Sequence, residues 1–111
     1  MISRRITMRP AMLFITVELY GKTGSNGEFK EYESKALGVF LKHGGEIVVA
    51  YRPLKAVGQA EIPDEIQILK IGSKSAFEKF MSDPDRTKMA EERNSVIRKT
   101  EVYLSEEIIN Y

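Results

Sequence analysis

Apolar and polar residues alternate from Met12 to Tyr20. Leu13, Ile15, Val17 and Leu19 share one parity, while Phe14, Thr16, Glu18 and Tyr20 share the other. A period of two predicts a strand with one buried face and one mixed face. The turn-rich run from Gly21 to Gly27 follows. The period then lengthens: Phe29, Tyr32, Ala36, Leu37, Phe40 and Leu41 recur at helical spacing and predict an amphipathic helix over 28–42. Gly44 or Gly45 supplies the left-handed residue that ends it. Ile47-Val48-Val49 then opens a strand over 46–52.

The second half repeats the theme. A loop over 53–63, bounded by prolines, leads to a strand over 65–71 carrying Ile66, Ile68 and Leu69. Ser75-Ala76-Phe77-Glu78 reads as a capping box, with Ser75 as N-cap of a short helix that turns Phe77, Phe80 and Met81 inward. Asp83-Pro84 restarts the helix, the aspartate capping and the proline at the first helical position. This piece is predicted to run to about 98, with a last strand over 101–109. The order β-α-β-β-α-β, wound with right-handed crossovers, predicts a ferredoxin-like α+β fold. Its four-stranded antiparallel sheet would carry both helices on one face. The uncovered face keeps apolar residues from the strands over 46–52 and 65–71, which soluble proteins rarely leave wet. A homodimer joined through those sheet faces is the expected cover.

Composition narrows the partners. The 111 residues suit a single domain over 12–111, behind a loose basic tail over 1–11 that holds Arg4, Arg5 and Arg9. With 17 basic and 16 acidic residues the net charge is +1, which gives no field to draw nucleic acid or a membrane surface. No apolar run approaches the roughly 18 residues of a membrane span. The absence of cysteine excludes disulfides and thiolate metal sites and fits a cytoplasmic location. A lone histidine argues against zinc. Gly21-Lys22-Thr23 imitates the end of a phosphate-binding loop, but Thr16 stands where the first glycine belongs. No cofactor is expected.

Several residues mark a family resemblance: the His43-Gly44-Gly45-Glu46 junction; Ser75, Phe77 and Phe80 followed by Asp83-Pro84-Asp85; and Arg93 ahead of the last strand. Over 12–109 the chain resembles the dimeric α+β barrel superfamily. Within it, the chain looks like a small bacterial family of unknown function distantly related to the antibiotic-biosynthesis monooxygenases. The resemblance implies the fold and dimerisation. The chain departs from the haem-degrading relatives in having no tryptophan, and the leading functional reading places a modest apolar cleft between sheet and helices.

Candidate chemistry rests on few residues. His43 reads either as a proton acceptor at a cleft mouth or as a polar residue on the carbonyls that end a helix. Arg93 lies four residues from Met89 and four from Ile97, on an apolar helix stripe. There it must snorkel, pair with an acid such as Glu18, or hold a ligand's anion. Glu18, if buried, would be a base; if solvated, it is inert. Tyr20, Tyr32 and Tyr51 are candidates to line a substrate pocket, or are core and interface residues. Three functions compete. The first is binding, or cofactor-free chemistry, on a small organic acid or oxygenated ring, with His43, Glu18 and Arg93 as its polar groups. The second is a cofactor-independent monooxygenase. The third is a non-catalytic interaction module.

Overall fold

The computed structural model describes residues 12–58 and 60–111. The basic tail predicted for residues 1–11 lies outside the described residues. The elements are β1 (Leu13–Gly21), α1 (Asn26–Lys42), β2 (Glu46–Tyr51), β3 (Glu65–Ile71), α2 (Lys74–Met81), α3 (Pro84–Thr87), α4 (Ala90–Val96) and β4 (Ile97–Ser105). The four strands form one sheet in the order β2-β3-β1-β4, and every neighbouring pair is antiparallel. This is the ferredoxin-like α+β arrangement.

The alternation in β1 sorts the faces as expected. Leu13, Ile15 and Leu19 are buried beneath the helices. Register extends the sorting across the sheet. Val17 opposes Gln67 on β3 and Val102 on β4, so those residues share the inner face. Thr16 opposes Ile68 and Tyr103, so those face outward. In β3 the inner residues are Gln67, Leu69 and Ile71, all buried.

Helix α1 ends on His43, whose backbone N–H reaches the Phe40 carbonyl. Gly44 then takes φ +83°, the left-handed turn that a side chain would resist. Gly45 is needed for a different reason: a Cβ there would stand 2.3 Å from the Phe40 ring.

Three local predictions are corrected. The cap of α2 is Ser73, not Ser75: Ser73 is extended and its Oγ accepts from the Ala76 N–H at 3.0 Å. Ser75 lies inside the helix. The last helical piece does not run to Arg98. It breaks after α3, and α4 stops at Val96, whose carbonyl is taken by the Lys22 N–H at 2.8 Å and approached by Ser25 Oγ at 3.3 Å. Both groups come from the turn between β1 and α1, so β4 begins at once at Ile97. It ends at Ser105, which lies opposite Phe14 near the start of β1. Residues 106–109, assigned to the strand from sequence, run on beyond the ladder.

The core is split. One cluster gathers Leu19, Phe29, Tyr32, Met89, Val96 and Ile97. The other gathers Leu13, Ile15, Phe40, Leu69 and Ile71. Val17 packs against both, and the space between them becomes the site.

Candidate functional site

Between the two clusters lies a cavity of about 360 Å³, roofed by α1 and α2 and floored by the inner face of the sheet. Ile15, Leu37, Phe40, Leu69, Phe77 and Phe80 give it apolar walls. Its polar groups are Glu33 and Tyr32 of α1, Gln67 of β3, Thr100 of β4, Arg86 of α3 and Arg93 of α4. A broader groove of about 720 Å³ between α1 and the shorter helices is lined by Lys35, Lys42, Asp85 and Glu92. Those side chains already pair across it, Lys35 with Glu92 at 3.1 Å and Lys42 with Asp85 at 2.8 Å. Its open, charged walls do not desolvate a ligand, so the smaller cavity is the candidate site.

Glu33 is its most unusual member. It sits four residues after Phe29 and four before Leu37, on the buried stripe of α1, and is 7% exposed. Burial pushes its carboxyl up from 4.5 to about 7; Gln67 and Arg93 pull it down, and Glu65 pushes it up. Only one oxygen, Oε1, has a partner among the described residues: Gln67 Nε2 donates to it at 2.8 Å. The same Nε2 donates to Glu65 Oε2 at 2.9 Å.

Arg93 faces the same space. Its guanidinium donates to Thr100 Oγ1 at 2.6 Å and to Asn94 Oδ1 at 3.4 Å. Both partners are neutral, and among the described residues no carboxylate lies within 4.0 Å of it. A cation and a titratable acid thus line one apolar cavity without closing on each other. Between them an oxygen of a ligand can give its proton to the acid while the cation holds its charge. The Tyr32 hydroxyl is held neutral, chiefly by burial.

The residues singled out from the sequence divide. Arg93 and Tyr32 line the cavity. His43 does not: it caps α1, and its Nε2 meets Asp83 Oδ2 at 2.7 Å beside the Phe80 ring. Glu18 lies on the opposite face of the sheet, because Val17 and Leu19 point inward and the residue between them must point out. Tyr20 shares that outer face, beneath Arg98 and Lys99, whose charged ends lie 5.4 and 4.3 Å from its ring centre. Tyr51 stands across from Ile66 on the same face, half exposed. The structure therefore does not bring His43, Glu18 and Arg93 to one cavity. Sequence reasoning missed Glu33 and Gln67, although each carried a signal: a charged residue in register with Phe29 and Leu37, and a polar one in step with Leu69 and Ile71.

No family model matches the chain, and no curated protein matches it. Solved structures do. A protein of unknown function from Rhodopseudomonas palustris superposes with a TM-score of 0.77 at 18% identity, covering 96% of this chain and 89% of that one. A dabb family protein with a ferredoxin-like fold from Mesorhizobium loti gives 0.67 at 15% identity, over 88% and 98%. SnoaB, a cofactor-independent oxygenase from Streptomyces nogalater, gives 0.66 at 13% identity, over 90% and 96%. The chain is ferredoxin-like α+β, and the resemblance read from its motifs holds at the level of fold.

Proposed function

We propose that the protein binds a small, mostly apolar organic molecule carrying one ionisable oxygen, without a cofactor. Glu33 accepts the proton of that oxygen and Arg93 holds the resulting anion. The observation that carries this reading is the buried acid with its carboxyl near 7, placed in one apolar cavity with an arginine that pairs with no carboxylate among the described residues. A base and a ligand of comparable acidity exchange a proton readily. The volume, about 360 Å³, suits one or two fused rings. The working unit in this reading is a homodimer joined through the outer faces of the sheets.

The test uses 2-naphthol, whose ionised form absorbs and fluoresces differently from the neutral one. Binding is expected to draw its spectrum toward the naphtholate at a pH where free 2-naphthol is neutral. Arg93→Ala is expected to abolish that shift, and Glu33→Gln to leave binding of neutral naphthol only. Absence of binding at millimolar probe overturns the reading.

A second reading, catalysis as a cofactor-independent monooxygenase, is favoured by the anion site together with the fold shared with SnoaB. An electron-rich phenolate would reduce O₂ directly. One oxygen atom would enter the ring as a carbonyl and the other would leave as water. Oxygen uptake with an anthrone, lost in Arg93→Ala, supports it; no uptake across a panel of electron-rich phenols removes it.

A further inference from the structure

We propose that Gln67 is a specificity residue that reads a second donor group, a hydroxyl or N–H, placed next to the ligand's ionisable oxygen. The inference rests on the binding reading above and adds to it a requirement on the ligand.

Gln67 is 2% exposed. Its amide orientation is fixed by chemistry rather than by shape. The Nε2 group lies between two carboxylates, Glu33 Oε1 at 2.8 Å and Glu65 Oε2 at 2.9 Å. Turned over, the amide would set its oxygen against both, so the nitrogen must face them. Both N–H bonds are thereby used.

The carbonyl end is left over. Gln67 Oε1 accepts no hydrogen bond among the described residues. Yet no sealed-off side-chain nitrogen or oxygen among those residues lacks a partner, so this oxygen is not sealed off. Gln67 lines the cavity, and the cavity is where its oxygen remains accessible. Steadying Glu33 requires only a donor. An amide brings an acceptor as well, and a deeply buried acceptor left unmatched costs about 1–3 kcal/mol. A ligand that supplies a donor recovers that cost, and one that does not leaves it standing. Because Nε2 binds Glu33, the amide oxygen and the Glu33 carboxyl are neighbours. The donor must therefore sit beside the oxygen that Glu33 deprotonates, as in a vicinal diol on an aromatic ring or an enol flanked by a hydroxyl. A site built around such an acceptor rejects the analogue that lacks the hydroxyl far more strongly than an apolar wall rejects a missing methylene.

The experiment compares 2,3-dihydroxynaphthalene with 2-naphthol by calorimetric titration at one pH. In the wild-type protein the diol is expected to bind about tenfold more tightly. In Gln67→Met, which keeps the volume and removes the acceptor, the two affinities are expected to converge. If 2-naphthol binds with its dependence on Arg93 but the diol gains nothing in the wild type, the role of Gln67 is overturned and the binding site stands. A preference for the diol that survives Gln67→Met also overturns it, because another group then reads the hydroxyl. If neither compound binds, both the site and the inference fall. The wild-type ratio needs no variant to fold, and thermal unfolding of Gln67→Met separates lost specificity from lost structure.

Discussion

At Glu33 a buried carboxyl gives the fold one part of its pH response. Its acidity moves from 4.5 to about 7 on folding, chiefly because burial disfavours the charged form. Between those values the folded chain holds a proton that the unfolded chain has released. Stability is therefore highest below about 4.5, falls as pH rises toward 7, and is flat above it, as far as this residue is concerned. The difference amounts to about 3 kcal/mol. Glu33→Gln keeps an acceptor for the Gln67 amide and removes the ionisation. Its unfolding midpoint in urea is expected to exceed the wild type's at pH 8 and to approach it near pH 4. Parallel curves across that range would show that Glu33 is not buried as the structure places it. Asp83 acts with the opposite sign. His43 first, then the Asp85 N–H and Lys42, hold its carboxyl well below the usual range, so its contribution is present at neutral pH and lost in acid. Arg93 was legible in the sequence as a charge on an apolar stripe. Glu33 carried the same kind of signal, but helix periodicity tolerates one polar residue at the edge of a stripe, and only packing shows which edge is covered.

Elements were more legible than residues because their signals are summed over many positions. The strand in β1 and the helix α1 follow directly from the change of period, and the glycine pair at the end of α1 explains their junction. Gly45→Ala tests that junction: a methyl group driven at the Phe40 ring, which is 1% exposed and cannot move aside, is expected to cost about 1–3 kcal/mol in denaturant unfolding. The second half was read less well. Neither α2 nor α3 contains a fully buried residue, so their pattern is weak. The Val96 carbonyl that ends α4 is claimed by Lys22 and Ser25 from the turn between β1 and α1, partners no local pattern reveals. Helix α2 is held by Ala76, Phe77 and Phe80 against the second core cluster, and polar contacts add to this at α3. Asp83 caps α3 through the Asp85 N–H at 2.7 Å and also meets His43 and Lys42, at 2.7 and 3.0 Å, at the end of α1. Since Phe77, Phe80 and Arg86 form one end of the cavity, these contacts fix its wall. In Asp83→Ala, amide hydrogen exchange is expected to quicken across 74–88 and to stay unchanged in β1 and β3. Uniform acceleration through the sheet would instead show that the whole fold had loosened. Asp83→Asn, which retains a capping oxygen, is expected to fall between the two.

The described residues span 58 × 39 × 16 Å, a slab of one sheet and one helical layer, and only one face of the sheet is covered. Across the other face the register lines up Tyr103, Thr16, Ile68 and Val49, one from each strand. The neighbouring row sets Glu101, Glu18, Ile66 and Tyr51 side by side. Tyr103, Val49 and Tyr51 are 56%, 45% and 47% exposed, and Val49 and Tyr51 of β2 with Ile68 and Ile66 of β3 make one contiguous apolar patch rather than scattered single residues. Charges flank the patch: Glu18 and Glu101 beside it on β1 and β4, and Lys70 opposite Glu46 in the row beyond. A second copy, turned by a twofold, offers the same patch and would bury on the order of 800 Å² per protomer, the size of a stable interface. This also gives Glu18 a setting that its sequence position left open, at the rim of the proposed interface rather than in the cavity. Sedimentation equilibrium is expected to return twice the chain mass of 12.6 kDa at tens of micromolar. Val49 is half exposed in one copy, so Val49→Asp should fold normally by circular dichroism. An unpaired carboxylate set into an apolar contact costs roughly 3 kcal/mol, about a hundredfold in the dimer dissociation constant. A wild-type protein that sediments as one copy at that concentration would dismiss the twofold assembly, while leaving the cavity, which is built from a single chain, untouched.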